Sequence, residues 1–239
     1  MVYNFCMTKA HQSGNVLFLI LIAVALFAAL SYAVTQSTRS GGANAENEKI
    51  SLDIGRVRGH AVNLKMSIAR MLTNGGQNVD NLNFFYDGFT EDYTNPNCTN
   101  SRCEVFGAMG GGALWDKPPF TITGDDYIIS GYSQIPGIGS DTPGDPSASE
   151  LILIVPYVSE TTCLAINKFL GMHSYIPTET SGCLVDKSGT DFYFKGSYGI
   201  GNVIEDTSRP EATRGKFEMC VRCPGSPASY HYYEVLIAR

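Results

Sequence analysis

The side chains best suited to chemistry in this 239-residue chain are six cysteines, Cys98, Cys103, Cys163, Cys183, Cys220 and Cys223. An even number suits disulfide bonding in an oxidising compartment; the seventh, Cys6, stands apart near the start. Local pairing would join Cys98 to Cys103 and Cys163 to Cys183, leaving Cys220-Val-Arg-Cys223 as a pair, although spacing alone does not choose a connectivity. The Cys220-x-x-Cys223 spacing is also that of a redox motif or half a zinc site. A redox pair would open a helix, whereas Phe217–Val221 reads as a strand and Pro224 follows. Zinc needs two further ligands, and His231 is the only neighbour in sequence that offers one. A structural disulfide, with no metal, is the expectation.

Other chemistry is sparse. Asp141, Asp145 and Glu150 fall in or beside the turn-rich stretch PGIGSDTPGDPSAS and offer calcium-type oxygens. Their spacing matches no calcium loop, and solvated turn acids are expected. Asp125-Asp126 reads as a turn. His60, His173 and His231 belong to no catalytic pattern, and no nucleophile elbow, zinc-protease, phosphate-loop or dinucleotide signature occurs. Tyr230, Tyr232 and Tyr233, with Trp115 and Phe120, can line a ligand groove or pack a core. The chain is expected to be no enzyme and to carry no cofactor. A net charge of −6, with no basic run, argues against nucleic acid.

The elements that position these residues begin with an apolar segment. No Lys, Arg, Asp or Glu lies between Lys9 and Arg39, and Val16–Val34 is interrupted only by Ser31-Tyr32. As a helix it extends about 28 Å, close to the thickness of a bilayer core, and it has no polar stripe. Lys9 and His11 precede it, while Arg39 follows it before Glu46 and Glu48; the positive-inside bias favours a cytoplasmic N-terminus and an exported body. Ser31-Tyr32-Ala33 also has the form of a signal-peptide cleavage site, which would release a soluble chain.

The leader MVYNFCMTKAHQSG ends in Gly14, and the apolar helix starts at once with Asn15-Val16-Leu17-Phe18. This resembles the prepilin signal of type IV pilins and type II secretion pseudopilins. The resemblance covers roughly residues 1–40. It implies a cut between Gly14 and Asn15, methylation of the new N-terminus, and an apolar segment kept as the first half of a long helix. Most members carry a glutamate at the fifth mature position, where this chain has Leu19, and begin with Phe or Met rather than Asn15. The tip-located minor pseudopilin also lacks that glutamate, so a minor or tip-like member is implied.

From Ile50 the apolar residues Ile50, Ile54, Val57, Ala61, Leu64, Ile68 and Met71 fall alternately four and three apart, an amphipathic helix that Gly75-Gly76 stops. Such a stripe can pack on the chain's own sheet or on another subunit. Gly55 and Gly59 would admit a second helix closely. If this helix continues the span, residues 15–74 form a rod of about 90 Å, with a break expected at Ser40-Gly41-Gly42.

Beyond it, strands are expected at Phe120–Thr123, Tyr127–Ser130, Leu151–Val158, Phe192–Tyr198, Phe217–Val221 and Tyr230–Ile237. One helix is expected at Thr161–Gly171, capped by Ser159, and residues 87–119 and 136–149 read as long functional or mobile loops. The fold class is α+β: a long N-terminal helix packed on an antiparallel sheet, with one further helix and disulfide-tied loops. The expected organisation is a leader (1–14), a transmembrane helix (15–34), an amphipathic helix (35–76) and an extracytoplasmic head (77–239).

The functional expectation is a pilin-like or minor pseudopilin-like structural subunit. It would be anchored once in a bacterial inner membrane, with its head in the periplasm or at the cell surface. Its partners would be lipid and other pilin-like subunits met through the N-terminal helix. The alternative is a membrane-anchored or secreted disulfide-rich ligand-binding domain that does not polymerise.

Overall fold

The computed structural model describes residues 16–89, 93–140, 145, 148–172, 175–180, 182–184, 192–199, 201–225 and 227–239, with backbone alone for 36–44 and 46. Gly14, Asn15, Asp141 and His173 lie outside the described residues. The chain divides into two compact units, Met1–Glu48 and Lys49–Arg239.

Helix α1 runs from Val16 to Asn74. Within the first unit, Val16–Thr35 is apolar on every side and none of it is buried, so it is long and apolar enough to cross a membrane. The hydroxyl of Thr35 donates to the Ser31 carbonyl at 2.7 Å, which satisfies a polar group from within the helix. The backbone is helical through Ser40-Gly41-Gly42, contrary to the break expected there. Two glycines cost about 2 kcal/mol together, less than opening several consecutive hydrogen bonds between two helical flanks. The helix ends where Gly76 takes a left-handed φ of 64° and the Gln77 N–H turns back to the Met71 carbonyl.

The second unit holds a five-stranded sheet of β1 (Ile128–Gln134), β2 (Glu150–Val155), β3 (Asn202–Val203), β4 (Glu218–Cys223) and β5 (Ser229–Ile237), in the order β3-β1-β2-β5-β4. Helices α2 (Glu160–Phe169) and α3 (Pro210–Thr213) complete it. Strands β1, β2, β5 and β4 pair antiparallel in that order, while β3 joins β1 in parallel. The sheet is therefore mixed rather than antiparallel throughout.

Four expected strands form. Phe120–Thr123 contributes only the isolated bridge Thr121–Val158, and Phe192–Tyr198 joins no ladder among the described residues. Phe194 is instead held to the Ile129 carbonyl by its N–H and buried, and Gly196 (φ 86°) turns the chain away.

Strand β2, Glu-Leu-Ile-Leu-Ile-Val, is buried at every position because both faces of the sheet are covered. One face brings Leu151, Leu153, Val155 and Tyr232 against Ile54, Val57, Ala61, Leu64, Ile68 and Met71 of α1 and Cys163 and Ile166 of α2. The other face buries Ile152, Ile154, Val221 and Tyr233 under Ile135, Ile138, Leu184 and Ile204. The long connection before β1 adds Leu82, Phe84, Tyr93, Val105 and Ala113 to the first core, so 87–119 is largely structural. Asn95 fixes its course: its amide nitrogen donates to the carbonyls of Asp80 and Leu82 at 2.9 and 2.7 Å.

Candidate functional site

Within the second unit, α1 presents four distinct faces. The stripe from Ile54 to Met71 is buried in the head's own core, with Ile50 half-buried beside it. Those residues are spent on folding and are not open to another subunit.

Along one edge, Arg56 pairs with Asp116 at 3.0 Å, the Asn63 side-chain oxygen accepts from the Leu114 N–H, and Arg70 donates to the Gly111 carbonyl. These anchors recur every seven residues, two helical turns, so the glycine-rich segment runs antiparallel to the helix. Along the other edge, Arg58 pairs with Glu218 at 2.9 Å and Lys65 with Glu234 at 2.6 Å. The Tyr232 hydroxyl bridges the two carboxylates at 2.9 and 3.2 Å. Burial holds the Glu234 carboxyl above its ordinary range, against the pull of the Lys65 ammonium.

The fourth face points away from the core. Leu52, Gly55, Gly59, Val62 and Met66 follow helical spacing there; Leu52 and Met66 are 66% and 61% exposed. A Cβ at either glycine would meet no atom within 4 Å. Gly55 and Gly59 therefore do not serve the head's own packing.

The cysteines pair as Cys98–Cys103, Cys163–Cys220 and Cys183–Cys223. The first is the expected local pair; the other two replace the Cys163–Cys183 and Cys220–Cys223 pairs. Residues three apart on a strand point to opposite faces. Cys220 therefore meets Cys163 of α2 in one core, and Cys223 meets Cys183 on the opposite face. His231 does lie beside Cys223, as a zinc reading requires, but its companion is Cys183 rather than Cys220. The sulfurs of that trio are bonded to each other. His231 is held by the Tyr157 N–H at Nδ1 (3.1 Å) and by Ser229 Oγ at Nε2 (2.8 Å). Burial pushes its pKa down to about 4.

His60 is buried. It stacks on Tyr127 at 4.7 Å and meets Trp115 edge-on at 5.4 Å, and burial lowers its pKa. Trp115 joins Phe89 and Phe106 in that cluster, while Tyr232 and Tyr233 enter opposite cores. These aromatic residues are thus divided among separate places, with Tyr232 and Tyr233 packing cores. Tyr230 alone lines an open cleft of about 390 Å³, with Ile122, Tyr157, Glu160 and Pro227. Glu150 is a buried strand residue whose carboxylate accepts from the Ile135 N–H at 2.8 Å, and Asp145 uses its backbone carbonyl to accept from Ala148.

The residue that motif reading missed is Glu179, buried beside Cys223. Nothing in Thr178-Glu179-Thr180 announces it; only the approach of three distant segments gives it a role. No protein-family model, curated protein or solved structure matches this chain. What the fold and its sites define is an α+β protein with an N-terminal helix able to span a membrane and a disulfide-tied head.

Proposed function

We propose that this chain is a pilin-like or minor pseudopilin-like structural subunit of a bacterial inner membrane pilus or secretion assembly. It acts by packing, not by catalysis. The observation that carries the reading is the division of labour on α1. One stripe is consumed by the head, while the opposite face, Leu52-Gly55-Gly59-Val62-Met66, stays apolar, small and open. In lipid, and between helices drawn out of it, such faces associate through close backbone approach. The span Val16–Thr35 stores the subunit in the bilayer, and the outer face then meets neighbouring helices. Leu19 in place of an acid leaves no carboxylate to pair with a neighbour's N-terminal amine, which suits a minor or tip position.

Mass spectrometry of the mature chain tests this. A start at a methylated Asn15 is expected; a start at Val34, or an intact Met1, would reject it. The cleft beside Tyr230 supports a second reading, a disulfide-rich ligand-binding domain that does not polymerise. A start at Val34 selects its secreted form, and an intact Met1 its membrane-anchored form.

A further inference from the structure

The three disulfides sit in different surroundings. Cys163 and Cys220 are both fully buried in an apolar core. Cys98 and Cys103 close a short surface turn. Cys183–Cys223, like Cys98–Cys103, joins a buried cysteine (Cys223) to a half-exposed one (Cys183), but it also lies beside a buried carboxyl. Glu179, itself 1% exposed, places Oε1 3.9 Å from Cys223 Sγ. Its other oxygen, Oε2, accepts from the Leu184 N–H at 3.0 Å and from Asn202 Nδ2 at 2.7 Å. Gly182, at φ 147° and with Asn202 Oδ1 2.9 Å from where a Cβ would stand, lets the chain close this tightly around the carboxyl.

Among the described residues Oε1 has no other hydrogen-bond partner, and a disulfide sulfur has no hydrogen to give. A buried carboxylate oxygen facing only that sulfur would be an uncompensated anion. Hydrogen accounting therefore puts a proton on Oε1 while the bond is closed. When the bond is open, the same 3.9 Å contact is satisfied by a Cys223 S–H donating to the carboxylate. The other titratable groups here, among the described residues, are His231 and Tyr233 on β5, with Glu150 of β2 beyond Tyr233, and Asp206 holding the Thr178 N–H. Among the described residues no cation stands against the carboxyl to hold it ionised. Burial pushes its pKa up to about 8.

We infer that Cys183–Cys223 is a reactive, proton-coupled disulfide, with Glu179 as the built-in proton donor to Cys223, opened by an external dithiol. A thiolate of the reductant attacks the half-exposed Cys183 Sγ. The Cys183–Cys223 bond breaks, Cys223 leaves with the electron pair, and it takes the proton from Glu179 Oε1. The reductant's second thiol then resolves the mixed disulfide, Cys183 takes up one proton, and the reductant departs as a disulfide. Protein disulfide with neutral Glu179 plus dithiol gives protein dithiol with ionised Glu179, oxidised reductant and one free proton.

The bond fastens Pro177–Glu179 to the outer edge of β4, where the Arg222 N–H reaches the Pro177 carbonyl and the Glu179 N–H reaches the Arg222 carbonyl. Opening it loosens the cover on a sheet edge. This goes beyond the assembly reading and does not depend on it.

The test uses the full chain in detergent micelles, equilibrated with fixed ratios of reduced and oxidised dithiothreitol. The open fraction of Cys183 and Cys223 is read by alkylation and peptide mass spectrometry. Between about pH 6 and 8 the dithiol stays largely protonated, so release of one proton raises the equilibrium constant roughly tenfold per pH unit. In Glu179→Gln the constant is flat with pH. An infrared difference spectrum shows a carboxylic-acid carbonyl band lost on reduction of the wild type. A pH-independent wild type, no lost carboxylic-acid band, or opening only with loss of the head's near-ultraviolet circular dichroism would overturn the inference. Should Glu179→Gln not fold, the wild-type pH series and infrared spectrum still decide.

Discussion

Replacing Gly59 with leucine separates folding from assembly because the two effects carry opposite signs. Gly59 lies in the interior of α1, where glycine is less favourable than an ordinary helix former by about 0.5–1 kcal/mol. A Cβ there meets nothing within 4 Å, so the head accepts the side chain without strain. Gly59→Leu should therefore raise the head's stability by roughly that amount. If α1 meets another helix across its open face, the same leucine keeps the backbones apart, and assembly falls at least tenfold.

The counterpart is Leu64→Ala on the buried stripe, where loss of a fully enclosed side chain costs about 2–5 kcal/mol. Stability is measured by denaturant unfolding of the micelle-bound chain followed by near-ultraviolet circular dichroism. Assembly is measured by cross-linking between subunits in membranes. A Gly59→Leu chain that is more stable and still cross-links like the wild type would refute the proposed interface. A destabilised one would refute the geometry of the open face.

Lys65→Met strands the Glu234 carboxylate in the core and should cost about 3–5 kcal/mol near neutral pH. A raised carboxyl pKa means the folded state holds more protons, so the loss shrinks as pH falls through the folded pKa of Glu234; denaturation from neutral to acid pH shows this. His231 behaves oppositely. Its pKa falls from 6.5 to about 4 on folding, so its neutral form favours the fold fully above 6.5 and loses on the order of 3 kcal/mol towards pH 4. The wild-type minus His231→Asn difference in unfolding free energy isolates this from Glu179, whose raised pKa acts in the reverse sense. Replacing both Cys163 and Cys220 with serine opens a 57-residue separation and should cost about 4 kcal/mol by loop entropy, against about 2 for Cys98 and Cys103, five apart; paired thermal melts compare them. Leu19→Glu supplies the missing acid, and gain of cross-linking to identical copies is the expected result under the minor-subunit reading; unchanged cross-linking counts against it.

Much of this was legible in the residues. The apolar run needs no partner to declare itself, because a helix without a polar side has nowhere aqueous to face. The stripe from Ile50 to Met71, the Ser159 cap of α2 and four of the five strands are local patterns that tertiary packing left in place. Even the failure of a Cys220–Cys223 bond was implicit in the strand reading, since odd spacing sends neighbours to opposite faces. What the order of residues could not contain was where distant segments meet. Packing decided that α1's stripe belongs to its own head, that Cys223 reaches Cys183, and that Glu179 lies against their sulfur. Such contacts arise from filling a shared volume, and the residues that fill it are far apart along the chain; periodicity reports which side of an element is apolar, but not what will cover it.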